Sequence, residues 1–296
     1  MSTQVYAHRG GAALWPENTL AAYEKALALG VDAIDMDVGV TRDNVVVVYH
    51  DFCLNPAYTQ DAHGQFLTDP NSPLHDFTFT ELQQFEVGTL DKNSAYGKNY
   101  PEQQAIPGTR IPSLKQVIQY GKAHGSPALK FQIEIKSHPM FPEWSVAPEK
   151  FAELVAEVIR EEGVIERTEI QCFDWRCLLA LQKIDERIAT AYLTCDTDEA
   201  ARSPEENLLW HIGYDVKLYN HSWPELISYL GGKIWGPDFQ DLTVYKVQDA
   251  HERGLKVVPW TVNQLADMRK MRKFEVDGII TNWPNRLKDL LSNDRT

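Results

Sequence analysis

The sequence predicts an α/β fold: a (β/α)8 TIM barrel with a β-hairpin after its second strand and an inserted loop-rich segment. Three observations carry that expectation. Eight short apolar runs, near residues 5, 34, 132, 170, 190, 234, 258 and 279, alternate with helix-period segments. Charged residues gather at the C-terminal ends of those runs, where such barrels build their sites. No Gly-x-Gly-x-x-Gly turn supports the doubly wound open sheet, the other fold with this alternation.

The elements follow in order. Val5-Tyr6-Ala7 is a β run ending in the turn His8-Arg9-Gly10-Gly11. Pro16-Glu17-Asn18-Thr19 opens a helix, with Asn18 or Thr19 as N-cap and Gly30 as its stop. Residues 33–51 read as two strands joined by a polar turn. Period-two alternation puts Asp35 and Asp37 on one face, and Ile34, Met36 and Val38 on the other. Thr41-Arg42-Asp43-Asn44 has turn chemistry, and residues 45–49 are β-branched and aromatic. With Arg42-Asp43 or Asp43-Asn44 as a two-residue tip, His50 sits across from Asp35 or from Asp37. The connection is too short for a parallel crossover, so the return arm is a hairpin strand and not a ninth barrel strand.

Over residues 52–110 the periodicity fades. Five prolines and many Asn, Asp, Gly and Ser turns surround one helical fragment at 80–85. A long aperiodic stretch inside a regular fold is expected near the functional face. Beyond Ile111-Pro112-Ser113 the alternation is regular. Helix 114–123 leads to strand 131–136, helix 148–162 to strand 169–173, and helix 175–183 to strand 188–193. A less regular segment with a helix over 224–230 leads to strand 233–236. Helix 243–253 then leads to strand 256–262, helix 264–273 to strand 278–281, and a last helix covers 284–291.

At 296 residues, the chain is expected to be one domain over 1–296 with its insertion at 52–110. An apolar fraction of 43% with 24% charged residues is that of a globular protein, and no run approaches a membrane span. The excess of 42 acidic over 29 basic residues argues against nucleic acid, and an anionic small-molecule substrate would need a local cation to draw it in. Cys53, Cys172, Cys177 and Cys195 have neither zinc-ligand nor disulfide-framework spacing, which suits a reducing compartment. The first strand starts at Val5 with no secretory leader before it, so a cytoplasmic location is expected, a processed exported chain being the alternative.

The chemistry collects at one end of the barrel. His8 and Arg9 follow the first strand, Asp35 and Asp37 lie late in the second, Glu134 and Lys136 close the third, and Trp260 lies late in the seventh. Glu134 and Lys136 alternate with Ile133 and Ile135, so both point inward if the isoleucines face the helices. Singly, each has a structural reading: a solvated strand face, an ion pair, a loop or core histidine, a core tryptophan. Their convergence favours function. Converging buried carboxylates imply a cation, and the all-oxygen set Asp35, Asp37 and Glu134 suits Mg²⁺ or Ca²⁺. Arg9 and Lys136 supply positive charge for a phosphate. His8 and His50 offer a general base and a general acid, while Asp51 is expected to orient or hydrogen-bond. Asn282 and Glu17 are assigned to turn and cap geometry. The residues thus read as a metal-assisted phosphodiesterase.

The segments AHRGG, PENT, the Asp-x-Asp-Val hairpin ending in His50-Asp51, IPSL, IEIK, VVPWTV and DGIITNWP resemble the glycerophosphodiester phosphodiesterases. They occur in that family's order from His8 to Pro284. The resemblance implies a TIM barrel, a divalent cation (Mg²⁺ or Ca²⁺), and hydrolysis of deacylated phospholipids to sn-glycerol 3-phosphate and an alcohol. It also implies His8 and His50 as the catalytic pair, Arg9 and Lys136 as phosphate contacts, Asp37 and Glu134 as metal carboxylates, and Trp260 lining the substrate pocket. Where the family carries Glu-x-Asp, this chain has Asp35-Met36-Asp37, one methylene shorter at the first ligand position. The rival readings are a related barrel phosphodiesterase acting on a phosphoinositide or sphingomyelin type of head group, and a non-catalytic binder of phosphoglycerol groups.

Overall fold

The computed structural model describes residues 3–293. Among the described residues nine strands form one sheet: β1 (Gln4–Ala7), β2 (Ala33–Val40), β3 (Val46–Val48), β4 (Lys130–Ile135), β5 (Thr168–Cys172), β6 (Ala189–Thr194), β7 (Ile234–Pro237), β8 (Lys256–Val257) and β9 (Gly278–Thr281). The order is β8-β7-β6-β5-β4-β2-β1-β9, with every pair on that path parallel, while β3 lies antiparallel against β2. Backbone bonds draw the two end strands together: Asp277 N to Val257 O at 2.9 Å, Ile280 N to Pro259 O at 3.0 Å, and Val262 N to Ile280 O at 2.9 Å. Eight parallel strands therefore make the barrel, as the alternation predicts. The strand expected over 256–262 is only two residues long, because Pro259 has no N–H to give the ladder.

The helices are α1 (Leu20–Ala28), α2 (Phe79–Leu82), α3 (Leu114–His124), α4 (Pro148–Glu161), α5 (Trp175–Ile184), α6 (Asp196–Ala201), α7 (Pro204–Trp210), α8 (Trp223–Tyr229), α9 (Val244–Glu252), α10 (Leu265–Lys273) and α11 (Pro284–Asn293). Thr19 caps α1 by accepting from Ala22 N at 3.1 Å, which leaves Asn18 free for other work. Between β6 and β7 the periodicity points to one helix, yet three are present. Helices α6 and α7 are too short to show a period, although Ser203, Pro204 and Glu206 form a capping-box start for α7.

The alternation along the strands sorts two cores. Ile34, Met36, Val38, Phe131, Ile133 and Ile135 face outward into the layer between sheet and helices. Inside, small and medium side chains such as Ala33, Ala191, Ile234, Val258 and Ile280 pack around Tyr6. A third core forms where residues 52–110 fold back on the hairpin: Val47 and Tyr49 pack with Leu54, Tyr58, Leu74, Leu82, Val87 and Ile111. The insertion is loop-rich but has its own apolar anchor.

The hairpin differs from expectation in register. Val38 pairs with Val48, Gly39 with Val47 and Val40 with Val46. The tip has three residues, Arg42-Asp43-Asn44, closed by Thr41 N to Val45 O at 3.0 Å. Asn44 adopts a left-handed φ of 61°, the position that turns a type I bend into a three-residue loop. By that register neither Asp35 nor Asp37 is directly opposite His50. The last ladder bond is Tyr49 N to Asp37 O at 2.9 Å, after which the chain turns away. His50 reaches the site from the end of the ladder and not across it.

Candidate active site

The site begins where β1 ends. The chain turns sharply through His8–Gly10, with left-handed φ at Arg9 (52°) and Gly10 (82°). A Cβ on Gly10 would stand 2.7 Å from Ala22 Cβ, so only glycine lets this turn press onto α1. The turn lays His8 and Arg9 over the barrel mouth. His8 Nδ1 lies 2.5 Å from Asn282 Oδ1. An amide oxygen can only accept, so Nδ1 carries the proton and Nε2 keeps its lone pair. Asn282 is held in turn by its backbone N–H donating to Asn263 Oδ1 at 3.0 Å. Burial, then the neighbouring Arg9 charge, lowers the His8 pKa to about 3.

Arg9 donates to Glu17 Oε1 (2.9 Å) and to the Tyr96 hydroxyl (3.3 Å), and its Nε lies 3.0 Å from Asp37 Oδ2. Burial opposes its charge, but the Asp37 and Glu17 carboxylates outweigh that and raise its pKa well above the usual range. Asp37 also accepts from Asn18 Nδ2 at 2.9 Å, and Lys136 Nζ stands 3.8 Å away. Burial would raise the Asp37 pKa; Arg9, with His50 and Lys136, instead holds it far below the usual carboxylate range.

Parallel pairing sets Asp37 beside Glu134 and Asp35 beside Gln132 on adjacent strands. Lys136 Nζ bonds Glu134 Oε1 at 2.7 Å. Asp35 accepts from Gln171 Nε2 at 2.8 Å. Burial, then the charges of Asp37 and Glu134, pushes its pKa well up. A buried carboxylate with two others beside it, helped only by the Gln171 amide and by the Arg9 backbone N–H and charge, has the character of a cation ligand. The all-oxygen donor chemistry therefore fits Mg²⁺ or Ca²⁺. Among the described residues no three His, Cys, Asp or Glu side chains stand in ligating array. Instead, the Lys136 ammonium takes the space between Glu134 and Asp37.

His50 completes the cluster. Its Nδ1 lies 2.6 Å from Asp51 Oδ1, and its ring is close enough to Asp37 and His8 to act on both electrostatically. Burial would raise the Asp51 pKa, but bonds from His50, Asn55 and Tyr58 lower it to about 2. Trp260, half-buried, donates its Nε1–H to Gly236 O at 2.8 Å and meets Phe173 edge-on at 5.4 Å, forming one wall of the mouth.

His8, Arg9, Asp37, Glu134, Lys136 and His50 thus gather at the mouth, with Asp35 deeper behind them. Two assignments to plain turn and cap geometry are corrected: Asn282 bonds His8, and Glu17 bonds Arg9. Asn18 is a site residue and not the cap of α1, a role that Thr19 takes, and Tyr58, Tyr96 and Gln171 join the site without any signal in the sequence pattern. Asn18 has a left-handed φ of 58° and clasps Asp37 with its side-chain amide, Nδ2 donating to Asp37 Oδ2 and Oδ1 accepting from the Asp37 backbone N–H. The adjacent capping pair Asn18-Thr19 carried a signal for it, since one cap leaves the other spare. For Tyr58 and Tyr96, in the aperiodic insertion, there was none.

Residues 8–286 match the glycerophosphoryl diester phosphodiesterase family. A glycerophosphodiester phosphodiesterase from Caldanaerobacter subterraneus subsp. tengcongensis is 28% identical over 293 residues, covering 98% of each chain. The crystal structure of a candidate glycerophosphoryl diester phosphodiesterase from Silicibacter pomeroyi superposes with a TM-score of 0.88 at 32% identity, covering 99% of this chain and 94% of that one. A phosphodiesterase from Oleispira antarctica, solved with its product sn-glycerol-3-phosphate, shares the fold at a TM-score of 0.72 and 20% identity, covering 98% of this chain and 97% of that one. No helix among the described residues is long and apolar enough to cross a membrane. By the match along nearly its whole length, this chain belongs to the glycerophosphoryl diester phosphodiesterase family.

Proposed function

We propose that this protein hydrolyses glycerophosphodiesters to sn-glycerol 3-phosphate and an alcohol, with His8 as general base and His50 as general acid. The observation that carries the assignment is the contrast behind the two rings: a neutral amide behind His8 and a carboxylate behind His50. The amide and the burial keep His8 neutral, with a lone pair on Nε2, whereas the carboxylate behind His50 Nδ1 offers the charge-assisted hydrogen bond that a general acid needs. His8 Nε2 takes the proton of the attacking hydroxyl as its oxygen bonds to phosphorus. The bond from phosphorus to the alcohol oxygen breaks, and His50 gives that oxygen its proton. The hydroxyl belongs to water or to the glycerol carbon next to the phosphate; the latter route passes through a cyclic diester that water then opens.

Arg9 and Lys136 bind the phosphate oxygens, and Trp260 flanks the substrate. Asp35, Asp37 and Glu134 would hold one divalent cation, Mg²⁺ or Ca²⁺, which when bound neutralises charge on the phosphoryl oxygens. Asp35 reaches it directly or through a water. The setting is cytoplasmic in this reading, consistent with four cysteines that stand as free thiols. Replacing either histidine tests the assignment. His8→Ala and His50→Ala should each lower turnover by roughly 10²–10⁴-fold, with far-UV circular dichroism and melting temperature retained. Full activity in either variant overturns it.

A second reading, a lipid-bearing diester, has one observation in its favour. Phe52, two residues after His50, joins His138, Phe141 and Trp144 in a ring cluster with centroids 4.2–6.0 Å apart, and Phe141 is 40% exposed. Such an apolar rim would suit a chain-bearing substrate. Comparing turnover of glycerophosphocholine and lysophosphatidylcholine separates the two readings, and tight binding without product would mark a non-catalytic binder.

A further inference from the structure

Two tyrosines of the inserted segment each touch a residue that holds one of the proposed functional groups. The Tyr58 hydroxyl donates to Asp51 Oδ2 at 2.9 Å, while Asp51 Oδ1 holds His50 Nδ1. The Tyr96 hydroxyl donates to Glu17 and accepts from Arg9 Nη1, and Glu17 itself grips Arg9.

The rings themselves form a continuous row. Tyr49, at the end of the hairpin, meets Tyr58 at 5.5 Å, Tyr58 meets Tyr96 at 5.6 Å, and Tyr96 meets Tyr100 at 5.2 Å. All three contacts are tilted, a favoured geometry for aromatic pairs. Phenol rings have only two side-chain torsions, so packed rings hold their hydroxyls with little freedom. The row joins the exit of β1, through Arg9 and Glu17, to the end of the hairpin, through Asp51.

We propose that Tyr58 and Tyr96 are positioning residues for the reaction, so that residues 52–110 order the acid and the phosphate-binding arginine together. This rests on the acid–base reading above. Neither touches the reacting atoms in this assignment. Tyr58 acts through Asp51, and Tyr96 acts on Arg9 both directly and through Glu17. The bland alternative is that the row merely anchors the insertion to the barrel.

Tyr→Phe substitutions separate these, since they keep the ring packing and remove only the oxygen. Tyr58→Phe loosens Asp51, and with it the His50 ring, and should lower kcat with little change in KM. Tyr96→Phe loosens Arg9 and should raise KM more than it lowers kcat. Misplacement by about 1 Å can cost ~10²-fold, so effects of roughly tenfold are expected. A merely anchoring role would lower the folded fraction, and so kcat, alike in both variants and would leave KM unmoved, so the opposite splits mark positioning, and melting temperatures report the folded fraction directly. Wild-type kcat and KM in both Phe variants, with His8→Ala and His50→Ala inactive, would overturn the positioning role and leave the acid–base reading standing. Activity retained in either histidine variant would fell that reading, and the positioning role with it.

Discussion

Two imidazoles in one site need different environments to do different work, and here Asp51 makes the difference. With its pKa lowered to about 2, Asp51 stays an anion at every pH above that, so His50 Nδ1 always has a charged acceptor behind it. Asp51→Asn removes that charge and should lower kcat/KM by roughly 10²-fold, with the melting temperature retained. Steady-state kinetics of the variant check this; an unchanged kcat/KM would mean that Asp51 does not assist His50. His8 lacks such a partner. Its neighbour Asn282 is far away in sequence, and this explains why the opening turn HRGG revealed the histidine but not what holds it. The two histidines were legible as candidates, but their division of labour was not.

At the scale of elements, strand alternation was the most legible signal and turn geometry the least. The pattern in β2 sent Asp35 and Asp37 inward and Ile34, Met36 and Val38 outward, and the structure has them so, because a one-residue slip would bury the wrong face. The hairpin tip was misjudged because Asn44 adopts a left-handed backbone that few residues accept, and nothing in its neighbours requires it. That conformation gives a stability test. Asn44→Ala should destabilise the protein by about 1 kcal/mol, since alanine pays the full steric penalty of the left-handed region, whereas Asn44→Gly should be neutral or slightly stabilising. Denaturant midpoints of the two variants decide it, and equal midpoints would show that the loop relaxes to another turn. The insertion at 52–110 was legible only as something near the functional face. Its tyrosines reach partners such as Glu17, 79 residues from Tyr96, and aperiodic sequence carries no record of contacts at that range.

The whole molecule sets an electrostatic problem for an anionic diester. A formal net charge of −13 repels it at a distance, so the mouth must supply local positive charge. Arg9 and Lys136 are there, but each is already paired with carboxylates: Arg9 with Asp37 and Glu17, Lys136 with Glu134. A divalent cation taking Asp35, Asp37 and Glu134 would offset the burial, and relieve the mutual repulsion, that together raise the Asp35 pKa. It would also release Lys136 toward the phosphate. Binding of this kind is linked to folding, because the three carboxylates converge only in the folded chain. At a cation concentration of a hundred dissociation constants the gain is about 2.7 kcal/mol. Adding Mg²⁺ or Ca²⁺ should therefore raise the melting temperature, and a chelator should reverse the rise. Glu134→Gln should abolish most of it without lowering the melting temperature of the cation-free protein by a comparable amount. A rise of the same size in Glu134→Gln would place the cation elsewhere. A larger rise with Ca²⁺ than with Mg²⁺ would fit the short Asp35 side chain, since the larger ion tolerates longer and more irregular coordination.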